Sequence, residues 1–375
     1  MRVITLLTKG GKVRYMLLDY NNEPVQPVLQ YLKFKDNSGA SRNTLRSFSF
    51  HLKIFFEFLH QIEKDYRKIG IDDMADFMRW LQNPHHNVKI SPIFPNEPIR
   101  KAQTVNIIIN TVLGFYDYLM RHEDYSIQLS ERLKKQVLGS RKGFKSFLHH
   151  INRNKSFSSH ILKLKVPKQQ PKVLSKYQVS VIMNACTNIR VLFLIQLLWE
   201  SSMRIGEALG LWLEDFEIDA RRIHIRDRGE LSNLAEIKTV CSPRCIDVTE
   251  DLINMYLEYI AQFHTDEVDT NHVFIKLSGR NKGNPFEYTD VVSLVRRLRK
   301  KTDVYFTQHM LRHTSLTELR RAGWKDEHLM KRAGHAHIQT TMQMYIHPSD
   351  EDIRKDWEKV QENMRISKGF EEDYE

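Results

Sequence analysis

Apolar residues open the chain as two short runs, VITLL and VRYMLL, within residues 2–19, separated by Lys9-Gly10-Gly11. Paired glycines supply the positive φ angles of a tight hairpin, so two antiparallel strands are expected. The hairpin would pair either with DNA or with the rest of the protein. From about Leu29 the spacing changes to threes and fours. Leu45, Phe48, Leu52, Phe55, Phe56 and Leu59 form one amphipathic face, with Ser41 or Asn43 as helix cap. Residues 71–81 read as a shorter helix, and Val105, Ile108, Ile109, Val112, Tyr116 and Leu119 line another. Aromatic residues at this spacing predict a core rather than a base-stacking platform.

Pro167 and Pro171, among polar neighbours, mark a linker. Periodicity resumes at Lys176, predicting helices over 176–186 and 188–202 and a short one over 205–212. RRIHIRD and RCIDV read as strands on either side of a loop. Helices are expected again at 252–263, 290–301, 309–322 (ending at Gly323), 326–332, 337–346 and 349–365. The fold class is therefore mostly α with a small antiparallel β-sheet. The expected organisation is a hairpin arm at 1–28, a helical domain with a basic extension at 29–165, a linker at 166–174, a second domain at 175–348 and a tail at 349–375.

A length of 375 residues suits two domains, each burying its own core. The net charge of +11 calls for a polyanionic partner, nucleic acid or an acidic membrane surface. That charge is localised: residues 132–168 hold eleven Lys/Arg and no Asp/Glu. Such density suits phosphate neutralisation, with a solvated basic linker as the plainer alternative. Lys134, Lys135, Arg141, Lys142, Lys145, Arg153, Lys155, Lys163 and Lys165 are the candidate DNA contacts. From Asp350 onward ten acidic and five basic residues reverse the polarity, so the tail is not expected to lie on DNA. Three cysteines make no disulfide framework and fit a reducing cytoplasm. Cys241 and Cys245 would be half a zinc site, but no second pair completes it. The N-terminus lacks a signal-peptide pattern, and the apolar stretch 191–199 is too short to span a membrane. A cytoplasmic protein with no membrane partner is expected.

Four features of the second domain carry chemistry. They are Ser202-Met203-Arg204-Ile205-Gly206-Glu207, His309-Met310-Leu311-Arg312-His313, Gly334-His335, and Tyr345 ten residues beyond His335. His309 and Arg312 share a helix face, and Glu207 sits one turn from Arg204, where it can fix the guanidinium fork. Attack on a phosphodiester loads negative charge onto the non-bridging oxygens. Two arginines can grip these bidentately, and histidines can donate to them or move protons. Tyrosine can serve as nucleophile, although ionising it at pH 7 costs about 4 kcal/mol. A cationic cluster offsets that cost. Each feature alone is weak: a lone HxxR usually decorates a surface and a lone helical tyrosine usually fills a core.

In order and spacing, SMRIGEALGL, HMLRH, AGHA and TTMQMYIH resemble the tyrosine recombinases, or phage integrase family. The resemblance covers about residues 175–348. The stretch from His309 to Pro348 looks closest to the transposase branch of Gram-positive mobile elements. It implies a catalytic domain of the DNA breaking–rejoining fold, preceded by a DNA-clamping core-binding domain. It also implies Tyr345 as nucleophile, Arg204 and Arg312 as phosphate clamps, His309 and His335 as transition-state and proton-handling groups, and Glu207 as support for Arg204. The family's lysine general acid falls best on Lys238, with Arg226 and Arg228 as weaker substitutes. The implied reaction passes through a 3′-phosphotyrosine and a Holliday junction on double-stranded DNA, in a tetramer, without metal, ATP or other cofactor. Other recombinases of the same element are conceivable partners, and the tail would pack on a neighbouring subunit or in cis through Ile353, Trp357 and Val360.

Three alternatives compete. A topoisomerase or resolvase would use the same chemistry without a tetramer. A regulator could keep the fold without catalysis. A metallohydrolase could use His309, His313, His335, His337 and His347, but lacks the glutamate of an HExxH motif.

Overall fold

The computed structural model describes residues 1–83, 98–121, 134–137, 157–160, 163–166, 171–237 and 241–336, and positions 354, 357, 358 and 361. The chain divides into two compact units, Met1–Lys168 and Gln169–Glu375. Helices dominate both, with three small antiparallel sheets among the described residues.

In the first unit, β1 (Arg2–Leu7) pairs antiparallel with β2 (Val13–Leu18), Leu7 facing Val13 across the turn. Gly11 takes the positive φ that the turn demands. The hairpin packs on its own unit: Leu17 is fully buried in the same cluster as Val28, Tyr31, Leu52 and Phe55. Helix α1 (Gln26–Asn37) starts three residues before Leu29, because Pro27 fits a first turn whose N–H groups have no helical acceptor. Ser41 caps α2 (Arg42–Gln61), its Oγ accepting the Thr44 N–H. Helices α3 (Ile71–Gln82) and α4 (Ala102–Arg121) complete the bundle. The aromatic residues form its core: Phe55 meets Phe77 and Tyr116 edge-on, at 5.1 and 5.9 Å between ring centroids. Within the basic stretch, where the sequence predicts no strand, β3 (Lys134–Val137) pairs with β4 (Phe157–His160). Beyond it the Asn106 amide holds Leu164 through both backbone groups, at 2.9 and 2.8 Å, and so ties the stretch back to α4.

The second unit is built on α6 (Ile189–Ser201), which follows α5 (Lys176–Asn184). Phe193, Leu194, Ile195, Leu197 and Leu198 are buried all round α6, as a central helix requires. Ser202 adopts a left-handed conformation and ends α6 there. The next helix, α7 (Ile205–Leu209), stops short of the predicted 212, because Trp212 instead bridges His272 and the Leu213 N–H reaches the Asn271 carbonyl. Strands β5 (Phe216–Glu217), β6 (Arg222–Ile225) and β7 (Arg244–Asp247) form an antiparallel sheet in that order. Helices α8 (Glu250–Phe263), α9 (Tyr288–Thr302), α10 (Gln308–Arg321) and α11 (Asp326–Ala333) follow. Helices α8 and α10 pack on α6. The predicted helices at 337–346 and 349–365 lie outside the described residues, apart from single positions of the latter. No described helix is long and apolar enough to cross a membrane.

If the hairpin is part of the core, Leu17→Ala should destabilise the first unit by about 2–5 kcal/mol, the usual cost of a large-to-small core change. Amide hydrogen exchange in α2 and α4 should accelerate accordingly. Unchanged protection there would mean the hairpin is a detached arm.

Candidate active site

Two left-handed turns, one helix and the start of one strand bring the site together. The left-handed Ser202, at φ +57°, swings the chain out of α6 so that Met203 is buried and Arg204 opens α7. Arg312 projects from α10, and α11 ends at the left-handed Gly334, which presents His335. The start of β7 contributes Arg244.

Glu207, almost fully buried, is the anion of the group. Its carboxylate accepts the Arg204 N–H at 2.8 Å and Arg204 Nη1 at 3.0 Å. It also receives a bidentate fork from Arg244, Nη1 at 3.1 Å and Nη2 at 2.9 Å. Burial pushes the carboxyl pKa up, but hydrogen bonds and charge from Arg244, the Arg204 N–H and the charge of Arg312 outweigh it and hold the group below its ordinary value. Glu207 is therefore ionised at neutral pH.

The other acceptors are main-chain carbonyls. Arg204 donates to the Ala333 and Gly334 carbonyls at 3.3–3.5 Å. Arg312, 3% exposed, donates to the carbonyls of Ser202 and Ala333. Its Nη2 also lies 3.0 Å from His335 Nε2. A guanidinium can only donate, so this contact requires an unprotonated Nε2 and puts the imidazole proton on Nδ1. Burial, then the charges of Arg312, Arg204 and Arg244, lower the His335 pKa to about 4. His313 falls to about 4 through burial and the charges of Arg312 and His309. His309, one turn before Arg312 on α10, is exposed.

Two glycines are fixed by close approach. A Cβ at Gly206 would stand 2.7 Å from the Glu236 carbonyl oxygen, so the loop leading to residue 238 docks on α7 only because glycine is there. A Cβ at Gly334 would meet Arg244 Nη1 at 2.8 Å, and φ of +61° already disfavours a side chain. Asn233 secures the same loop by donating to the Leu209 and Phe286 carbonyls at 2.9 and 3.1 Å.

Of the residues expected from sequence, the structure brings Arg204, Glu207, Arg312 and His335 into one connected cluster and sets His309 on the same helix as Arg312. Lys238 and Tyr345 lie outside the described residues, as do Arg141, Lys142, Lys145, Arg153 and Lys155. Lys134 and Lys135 belong to β3 by their backbone, and Lys163 and Lys165 are exposed on either side of Leu164. Arg228 is spent on a bidentate pair with buried Asp215 at 2.8 and 2.9 Å, and Arg226 lies against Glu214 and Asp215. Arg244 is the cluster member that sequence reasoning misses. Its one local signal is an arginine opening a strand after a loop, which many strands share. Among the described residues no group of His, Cys, Asp or Glu could hold a metal ion.

Residues 172–352 match the phage integrase family. Transposase A from transposon Tn554 of Staphylococcus aureus is 37% identical over 354 residues, 94% of this chain and 96% of that protein. Tyrosine recombinase XerA of Saccharolobus solfataricus is 23% identical over 325 residues, 86% of this chain and 88% of its own. Among solved structures, the Tn1549 transposon integrase in complex with transposon right end DNA superposes with a TM-score of 0.59 at 17% identity, covering 90% of this chain and 98% of that one. XerH bound to palindromic difH substrate gives 0.58 at 15%, covering 89% and 84%.

The two depressed imidazoles set a pH dependence. Their folded pKa near 4 lies below the unfolded value of 6.5, so the unfolded chain binds more protons between those limits. Stability should be full above pH 6.5 and fall as pH drops towards 4. Melting of His335→Gln at pH 7.5 and 5.0 should show a smaller acid loss than the parent; an equal loss would place the sensitivity elsewhere.

Proposed function

Because the chain belongs to the phage integrase family and is a DNA strand-transferase of the tyrosine recombinase type, we propose that it cuts and rejoins double-stranded DNA at specific sites through a covalent bond to Tyr345. The family carries out site-specific recombination or transposition. Support for the finer reading is the convergence of Arg204 and Arg312 from different elements around one carboxylate and one neutral imidazole.

In the proposed reaction Tyr345 Oη attacks the scissile phosphorus as its proton is relayed through His335 to solvent. The P–O5′ bond breaks, leaving a 3′-phosphotyrosine and a 5′-oxygen that takes its proton from Lys238. Arg204 and Arg312 hold the non-bridging oxygens, where the growing charge makes each donor worth most. His309 donates to the same oxygens and His335 handles protons, while Glu207 holds Arg204. A 5′-hydroxyl from a partner duplex, its proton passing to Lys238, then attacks the phosphotyrosine, joins the strand and releases Tyr345, which takes back a proton through the same relay. The phosphotyrosine conserves the bond energy, so neither ATP nor Mg²⁺ enters the scheme.

Strands are exchanged in pairs through a Holliday junction in a tetramer, in the cytoplasm and at the nucleoid. The segment 29–165 acts as the core-binding domain, 175–348 as the catalytic domain, and 349–375 packs on a neighbouring subunit. Other recombinases of the same element can share the assembly. The integrase that resembles this fold is bound to transposon end DNA, which supports DNA as the partner here.

Nicked duplexes cut from the DNA that flanks the protein's own gene test the chemistry. The parent protein should form a covalent adduct, and Tyr345→Phe should form none while binding the same duplex. Arg204→Ala should slow adduct formation about 100- to 1,000-fold, the usual effect of one lost transition-state donor, with far less change in affinity. An adduct formed by Tyr345→Phe would remove the assignment.

Binding should also respond to salt. If the eleven cations of residues 132–168 follow the backbone, log affinity should fall linearly with log salt, by about 0.9 per neutralised phosphate. A flat response would make the stretch only a tether.

A further inference from the structure

We infer that Arg244 is a positioning residue for Arg204, acting through the carboxylate they share; the inference rests on the recombinase reading above. Arg244 does not face a substrate. Its side chain is 5% exposed, and each of its three nitrogens donates to the protein. Nε donates to the Arg332 carbonyl at 2.7 Å, and Nη1 to the Ser242 carbonyl at 2.6 Å and to Glu207 Oε1. Nη2 donates to Glu207 Oε2.

These contacts fix both anchors of Arg204. One anchor is Glu207, where Arg244 takes both oxygens in a fork and Arg204 reaches Oε1 by a single contact. The other is the end of α11. Arg244 binds the Arg332 carbonyl, and Arg204 binds the two that follow, Ala333 and Gly334. The glycine at 334 preserves the arrangement, since a Cβ there would strike Arg244 Nη1.

The chemical consequence follows from competition for one carboxylate. A guanidinium beside a free carboxylate closes onto it with two parallel hydrogen bonds. With Arg244 in place each Glu207 oxygen already accepts two hydrogen bonds, Oε1 from Arg204 Nη1 and Arg244 Nη1 and Oε2 from the Arg204 N–H and Arg244 Nη2, so Arg204 cannot close and keeps an edge for an incoming phosphate. Without the Arg244 fork, Arg204 turns onto Glu207 and its charge is drawn back from the scissile group. The loss should therefore appear in cleavage rather than in DNA binding. It should depend on the negative charge of the scissile phosphate, which is what Arg204 neutralises.

The test compares single-turnover adduct formation by the full chain on two nicked duplexes from the DNA flanking its gene. One carries the natural phosphodiester at the scissile position and the other an uncharged methylphosphonate. Arg244→Lys should slow the phosphodiester reaction at least about 30-fold, affinity for the duplex should stay within about threefold, and the methylphosphonate should restore the rate to within about threefold of the parent. Arg244→Gln removes the fork in a second way, leaves the Glu207 carboxylate in place and should show the same rescue; it decides the matter if Arg244→Lys does not fold. Equal losses on both duplexes would reduce Arg244 to a structural brace and overturn the inference, as would no loss at all. If the parent protein formed no adduct on either duplex, the recombinase reading would fall first and this inference with it.

Discussion

The candidate site depends on one buried anion. Among the described residues, the guanidinium groups of Arg204, Arg244 and Arg312 gather around the single carboxylate of Glu207. One negative charge against three positive ones would be costly in a dry interior. The remaining compensation comes from backbone. Ser202 follows the end of α6, and Ala333 and Gly334 close α11, so the carbonyls they offer are those that helix ends leave without an N–H partner. These carbonyls carry the negative pole of their helices. The arginines are thus solvated by two helix ends, which fixes their direction without cancelling their charge.

That arrangement explains the unusual backbone on either side. Ser202 and Gly334 both take left-handed conformations at the ends of helices. For serine this costs about 1–2 kcal/mol. The cost is offset locally, because the Ser202 hydroxyl bonds that of Ser315 and its carbonyl receives Arg312. At Gly334 no other residue type satisfies both the backbone angle and the nearness of Arg244. Gly206 serves the sheet side of the site in the same way, by admitting the Glu236 backbone.

Much of this was legible in the sequence, for a definite reason. Helices write their buried face at spacings of three and four, so α2, α4 and α10 stood out, and the cap Ser41 marked the start of α2, whereas the Thr307 cap that starts α10 went unread. Arg204 with Glu207 and His309 with Arg312 were legible because each pair lies within one turn. Arg244 was not, since 37 residues separate it from Glu207 and only the sheet brings them together. The carbonyl acceptors were invisible because every residue has one, and the aim of a carbonyl depends on where a helix stops. The predicted ends of α6 and α7 were each off by one to three residues, which is the error that matters most here. The docking of the hairpin was also hidden, since Leu17 reads equally well as strand face or core.

On the proposed reading the number of carboxylates is itself a constraint. Among the described residues, with the His335 imidazole neutral, three guanidinium groups and one carboxylate leave two positive charges in excess. That excess opposes the cost of about 4 kcal/mol for ionising tyrosine at pH 7, and the same charges must also receive the phosphate. A second carboxylate would remove half of it. Arg312 is accordingly held by carbonyls and by a neutral imidazole, partners that orient it and leave its charge intact. His335 serves that purpose only while unprotonated, and its burial among arginines keeps it so.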